Sequence, residues 1–307
     1  KKIVTGDVRT KKNTINITLL KDIFKNDLNF IHDQEIIFEI KNKFSFNIKK
    51  GKVKALKYSS KIDLDSLILK QKNNLLKNYL NNYEDSVLLK NNSIRLKYEN
   101  KNLNIEGESE YSFSESFDKI EYKIDKKNDN YDFLTSISFD NIPIEIEPIG
   151  YSKKINNKSN LKLKGSYNKN KVKFNEIIYN EGPNFFKIKD LILNNKFKIL
   201  SLNKVKVDYL NTNNKKNEFD VKKDSIHYNL NGLSFDSHKL IADILLSDSD
   251  KNFLDNFNFK DGTKFNINLK KVFLNEDIFS NDLFGELIIK NNKVHSLNLT
   301  SMFENNK

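Results

Sequence analysis

The chain has 307 residues and no cysteine, which excludes disulfides, thiolate nucleophiles and sulfur-ligated zinc. Leu, Ile, Val and Phe make up roughly a third of it, far more than a disordered chain carries, so a sizeable core is expected. The formal charge of +12 is almost all lysine, Arg9 and Arg95 being the arginines among 53 basic residues; bidentate reading of phosphate or guanine needs the guanidinium fork, so no nucleic-acid partner is expected. No apolar run approaches the ~20 residues that cross a bilayer as a helix. A soluble segment of a longer or processed chain is predicted.

Along the chain the dominant signal is apolar alternation with period two. Ile36, Phe38 and Ile40 share one face of a strand, and beyond Asn42 and Lys43 the alternation resumes at Phe44, Phe46 and Ile48. The turn Lys50-Gly51-Lys52 leads into Val53 to Tyr58, as expected of antiparallel neighbours joined by short loops. Near 65–83 the period breaks, and Leu67, Ile68, Leu75, Leu76, Tyr79 and Leu80 fit a helix.

The strand grammar returns at Leu161 and Leu163, turns at Asn168 to Asn170, and continues through Val172 and Phe174. Glu181-Gly182-Pro183-Asn184 then turns the chain into Phe186, Ile188 and Leu191, and Asn194-Asn195 turns it again into Phe197 to Val207. Ile226, Tyr228 and Leu230 form another alternating set. A second helical interruption is expected near 237–257, where Asp236 caps a short helix carrying Leu240, Ile241, Ile244 and Leu245. Phe265, Ile267 and Leu269, then Leu287, then Val294, Leu297 and Leu299 complete about twenty candidate strands. No Pro-rich or Gly/Ser-rich linker separates domains, so residues 1–307 are predicted to form one continuous segment.

Chemistry-bearing motifs are sparse. His32, His227, His238 and His295 have no metal-ligand partner at helical or strand spacing and read as surface histidines. Glu108/Glu110 and Glu145/Glu147 lie side by side on one strand face, whereas an acid and base pair for glycoside hydrolysis must face each other across a cleft. Asp248 to Asn252 begins like a calcium loop, but Phe253 holds the glycine position and Phe259 the closing glutamate position. Neither a nucleophile elbow nor a phosphate-binding glycine loop is present. No enzyme activity, cofactor or metal is expected.

About twenty strands with one apolar face each must hide those faces, and two short helices cannot cover them. Either sheets pack in pairs as sandwiches, or a long antiparallel meander curls into an open groove whose apolar interior takes up something else. A groove would receive acyl chains on Ile36, Phe38, Ile40, Phe44, Phe46 and Ile48, on Leu161, Leu163, Phe186 and Ile188, and on Phe265, Ile267, Leu269 and Leu287.

The last third adds an order of elements: Gly232-Leu233-Ser234-Phe235-Asp236, the short helix, Phe265 to Leu269, Val272-Phe273-Leu274-Asn275, Leu283-Phe284-Gly285-Glu286-Leu287, and a final strand Val294 to Thr300. This resembles the AsmA-like family of bacterial envelope proteins, the TamB and YhdP type, and Leu161 to Gly165 and Ile48 to Val53 look like the same kind of repeat. The resemblance implies an all-β taco-shaped groove in the periplasm, anchored to the inner membrane by a segment this sequence does not contain. It also implies that phospholipid is carried toward the outer membrane, with components of both membranes as partners and without catalysis. A structural or adhesive envelope protein with sandwich-packed sheets is the competing expectation.

Overall fold

The computed structural model describes residues 2–18, 31–70, 80, 84–113, 115–168, 170–241, 257, 259–275 and 277–303. Strand accounts for 75% of the structure and helix for 3%, so the protein is all-β. Its contacts divide the chain into two units, Lys1–Ile142 and Pro143–Lys307. Within each, successive strands pair as a meander, and every extensive contact between strands is a pairing of neighbours in a sheet.

In the first unit, β1 (Lys2–Arg9) and β2 (Asn13–Asn16) both pair with β3 (Glu35–Lys49). Then follow β4 (Lys52–Lys70), β5 (Ser86–Glu99), β6 (Asn102–Ser112), β7 (Asp118–Lys127) and β8 (Asn130–Ser138), each antiparallel to the one before. Strand β3 runs straight through Asn42 and Lys43, which the alternation alone takes for a break. Asp65 to Lys70, expected to open a helix, are instead the end of β4; of the rest of that expected helix only Leu80 lies among the described residues.

The second unit begins with a small hairpin, β9 (Ile144–Ile146) and β10 (Tyr151–Lys153), joined by a 3₁₀ turn over Glu147–Ile149 that ends at Gly150 with φ 61°. Its main sheet runs β11 (Ser159–Asn168), β12 (Lys171–Glu181) and β13 (Asn184–Asn194), which pairs with both β14 (Ile199–Ser201) and β15 (Lys204–Leu210). It continues through β16 (Lys216–Asp224), β17 (His227–Asp236), β18 (Thr263–Phe273), β19 (Phe279–Lys290) and β20 (Lys293–Met302).

One pairing departs from the antiparallel meander: β17 and β18 are parallel. Parallel neighbours need a long crossover, and the chain between them supplies it, beginning with helical His238–Ile241. Ile241 N donates to Ser237 O at 2.8 Å, and Asp236 Oδ1 accepts from His238 N at 3.3 Å. Asp236 therefore holds the entry to the helix as expected. Residues 242–256, including Ile244 and Leu245, lie outside the described residues.

The apolar alternation changes phase in mid-strand, and it does so at matching places on neighbouring strands. Leu64 faces Asn92 and Ser66 faces Lys90, one residue being passed over on each strand; the same step separates Phe174/Leu191 from Glu176/Lys189, and Leu269/Leu283 from Lys271/Asn281. At each step one passed-over residue has positive φ: Asn91 at 52°, Asp190 at 51° and Asp282 at 46°. Asn and Asp tolerate this left-handed conformation better than other side chains. The result is that residues on both sides of the step reach the same face. Leu64, Leu67 and Leu69 join one apolar cluster, and Ile267, Leu269 and Val272 join another.

Candidate functional site

Registers across the second unit build a single apolar row from side chains that are far apart in sequence. Leu163, Ile177, Ile188, Val205, Val221, Leu230 and Ile267 face one another in turn from β11 to β18, and the row continues at Gly285 and Leu299. Its members up to Ile267 are half-buried, and Leu299 on the last strand is 39% exposed. Val205 also packs on the cluster beneath the hairpin of β9 and β10, and Leu230 and Ile267 on a cluster that includes Leu240.

A parallel row is covered. Leu161, Tyr179, Phe186, Val207 and Phe219 lie beneath the hairpin of β9 and β10, packed with Ile144, Ile146, Ile149, Tyr151 and Tyr209. Tyr151 and Tyr209 are each 1% exposed. The Tyr151 ring meets Phe186 edge-on at 4.8 Å, and Phe186 stacks on Tyr209 at 5.0 Å. Polar contacts pin the hairpin down. The Tyr151 hydroxyl lies 2.7 Å from Glu181 Oε2 and 3.0 Å from the Tyr179 hydroxyl, and Tyr209 donates to Ile149 O at 2.8 Å. Glu181 also accepts from Asn157 and Asn184, each at 2.7 Å. Burial, then the hydrogen bonds to Tyr179 and Glu181, push the Tyr151 phenol far above the ordinary tyrosine range; burial and Asp236 raise Tyr209 as well.

Farther along, Leu230, Ile267 and Leu240 pack against buried Phe235, Leu269, Val272 and Leu283. Leu240 thus covers the sheet as expected, whereas Ile241 is 38% exposed. Phe265 stacks on Tyr228 at 4.9 Å and meets Phe259 edge-on, beside half-buried Leu287.

In the first unit, Ile36 is buried with Ile17, Ile31 and Leu67, while Phe38, Ile40, Phe44, Phe46 and Ile48 are half-buried along one side of β3. Two glycines make room for rings from the next strand: a Cβ on Gly6 would fall 2.3 Å from the Phe44 ring, and one on Gly107 would fall 2.4 Å from Tyr122. Here the apolar face is interrupted. Asn42 stands opposite Ser60, and its Oδ1 accepts from the Ser60 hydroxyl at 2.6 Å and from Tyr58 at 3.0 Å. Buried Asn92 accepts from Ser109 at 2.8 Å.

Of the fourteen expected lining residues, then, Leu163, Ile188 and Ile267 share the half-buried row, Ile267 at the edge of a cluster, Leu161 and Phe186 lie under the hairpin, and Ile36 and Leu269 sit inside clusters. Sequence reasoning missed Ile177, Val205 and Val221, whose own alternation was the available signal, and it missed the polar notch at Asn42. Among the described residues no group of acidic or histidine side chains could hold a metal ion. His227 Nδ1 accepts from Lys264 N at 3.2 Å, and His295 lies 3.0 Å from the Lys290 ammonium. No described helix is long and apolar enough to cross a membrane. No family model, curated protein or solved structure matches this chain.

Proposed function

We propose that the apolar sheet face binds phospholipid acyl chains and conducts them along the strands' common face, as a periplasmic segment of a path between inner and outer membranes. The observation that carries this reading is the half-buried row from Leu163 to Ile267, to which seven strands in register each contribute one aliphatic side chain. Each acyl CH₂ withdrawn from water onto such a row gains ~0.8 kcal/mol. A uniform aliphatic lining gives no single deep well, so a chain can shift along it without a high barrier. Motive force comes from elsewhere, and no chemical step is involved.

The test is site-specific photocrosslinking to phospholipid in cells. Probes at Ile188 and Ile267 should capture lipid, and probes at the neighbouring Lys187 and Asn268, on the other side of the same pleat, should not. Equal capture at all four positions, or none at any, would overturn the proposal.

A further inference from the structure

The opposite, wet face of the second unit carries an arrangement of charge that the acyl track does not use. Lys162, Ile178, Lys187, Lys206 and Asp220 face one another in turn across β11, β12, β13, β15 and β16. One step along the same strands, Lys164, Glu176, Lys189, Lys204 and Lys222 do the same. The two rows are about 7 Å apart, with about 4.8 Å between strands. They hold seven lysines against two carboxylates. Glu176 is occupied by Lys187 at 2.5 Å and Asp220 by Lys204 at 4.0 Å. The other five lysines are exposed, and among the described residues none lies within ion-pair distance of a carboxylate, although Lys187, aided by Lys189 and Lys164, holds the Glu176 carboxyl below its ordinary range.

Like charges directly opposite each other on neighbouring strands destabilise a sheet, yet here Lys187 faces Lys206, and Lys189, Lys204 and Lys222 stand in an unbroken line. Arg9, Lys41, Lys61 and Arg95 of the first unit also stand in line, but there each cation has a carboxylate alongside it. In the first unit the row Lys41, Lys61, Arg95, Glu106 and Lys123 runs beside Glu39, Asp63, Ser93, Glu108 and Glu121. There Lys41 bonds Glu39 at 3.0 Å, Lys61 bonds Asp63 at 3.1 Å and Lys123 bonds Glu106 at 3.1 Å.

We propose that the lysine face of the second unit docks on the surface of a bilayer containing anionic phospholipid. The array spans five strands and is two rows deep, so it meets a plane of phosphates at many points at once, whereas a nucleic-acid strand offers a line of phosphates that would engage one row. Arginine, the better partner for bidentate phosphate recognition, is absent from both rows. Ammonium groups near an anionic surface act additively and without fixed geometry, which suits lysine. This docking uses the side of the pleat away from the acyl track, so either can fail without the other.

The experiment measures co-sedimentation of the chain with vesicles of phosphatidylcholine alone and with one-quarter phosphatidylglycerol, at low and high salt. Binding is expected to the anionic vesicles only and to weaken as salt rises. The triple variant Lys189→Gln, Lys204→Gln, Lys222→Gln should bind them about a hundredfold more weakly. The control triple Lys41→Gln, Lys61→Gln, Lys123→Gln carries the same change in net charge and should lose less than about threefold. Relief of like-charge pairs should leave the first triple's melting temperature unchanged or higher; if it fails to fold, the exposed pair Lys162→Gln, Lys206→Gln gives the same comparison. Equal losses in the two sets, equal binding to neutral vesicles, or tighter binding to an oligonucleotide through the same lysines would overturn the proposal.

Discussion

The two units use one strand grammar and differ in what they place on each side of the pleat. In the first, the apolar face is cut by hydrogen-bonded Asn42, Ser60 and Tyr58 and by Asn92 and Ser109, and the wet face pairs its cations with carboxylates. In the second, one apolar row crosses from β11 to β18 with no polar member, part of the same face lies under a pinned hairpin, and the wet face sets seven lysines against two carboxylates. Period-two alternation thus specifies that there is a sheet, while the identity of residues in register across strands decides what each face can hold. The contrast predicts that substitutions with similar chemistry have different costs in different rows.

The largest difference lies within the second unit, between buried and half-buried positions. Leu269 is 2% exposed beneath Leu240 and Phe235, so Leu269→Asp buries a carboxylate among aliphatic groups and should cost more than about 4 kcal/mol, abolishing protection of the β18 amides in hydrogen exchange. Ile188→Asp, on the half-buried open row, can turn its carboxylate to water and should cost about 1–2 kcal/mol while stopping lipid crosslinking. Equal costs at the two sites would mean that the row carrying Ile188 is covered, which removes the distinction on which an acyl track rests.

In the first unit the interruption of the apolar face can be tested directly. Asn42→Ala removes the acceptor shared by Ser60, which is buried, and Tyr58, and should cost about 2 kcal/mol by urea denaturation. Replacing Asn42 and Ser60 together by Val removes donor and acceptor at once and should recover most of that loss. A double variant as unstable as the single would show that the notch is not held by these bonds.

Most strands could be read from the sequence because one face is apolar and the other wet, and so could the helical start after Asp236. The phase steps could not. Through Ile62, Leu64, Leu67 and Leu69 the apolar spacing runs two, three, two, which imitates a helix, and the passed-over Asp65 looks like punctuation. Asn42 hid the continuity of β3 for a related reason: an amide in mid-strand resembles a turn until its partners Tyr58 and Ser60, sixteen and eighteen residues away, are in place. The hairpin over Phe186 was also invisible, since nothing in Ile144 to Lys153 states which face it covers. The step at Asn91 makes a sharper test of this. Asn91→Gly should be neutral within a few tenths of a kcal/mol, and Asn91→Ala, which lacks the amide and resists positive φ, should cost about 1–2 kcal/mol in thermal melts.

The smallest effect separates the pinned hairpin from the open row by its response to pH. Tyr151 is held above the ordinary tyrosine range chiefly by burial, then by its bonds to Tyr179 and Glu181. A phenol whose folded value is raised stabilises fully below its unfolded value, about 10, and loses that contribution as pH climbs past it toward the folded value, because only the unfolded chain then releases the proton. The second unit should therefore weaken from about pH 10 upward more steeply than lysine titration alone would cause. Tyr151→Phe keeps the ring that packs on Phe186 and removes the titrating hydroxyl, while Asn157 and Asn184 still satisfy Glu181. It should cost about 1 kcal/mol at pH 7 and flatten the alkaline slope. Tyr167→Phe, at an exposed position, should leave the slope unchanged. If Tyr151→Phe also left it unchanged in urea melts between pH 8 and 11, Tyr151 would not be the group that ties the hairpin's hold on the sheet to pH.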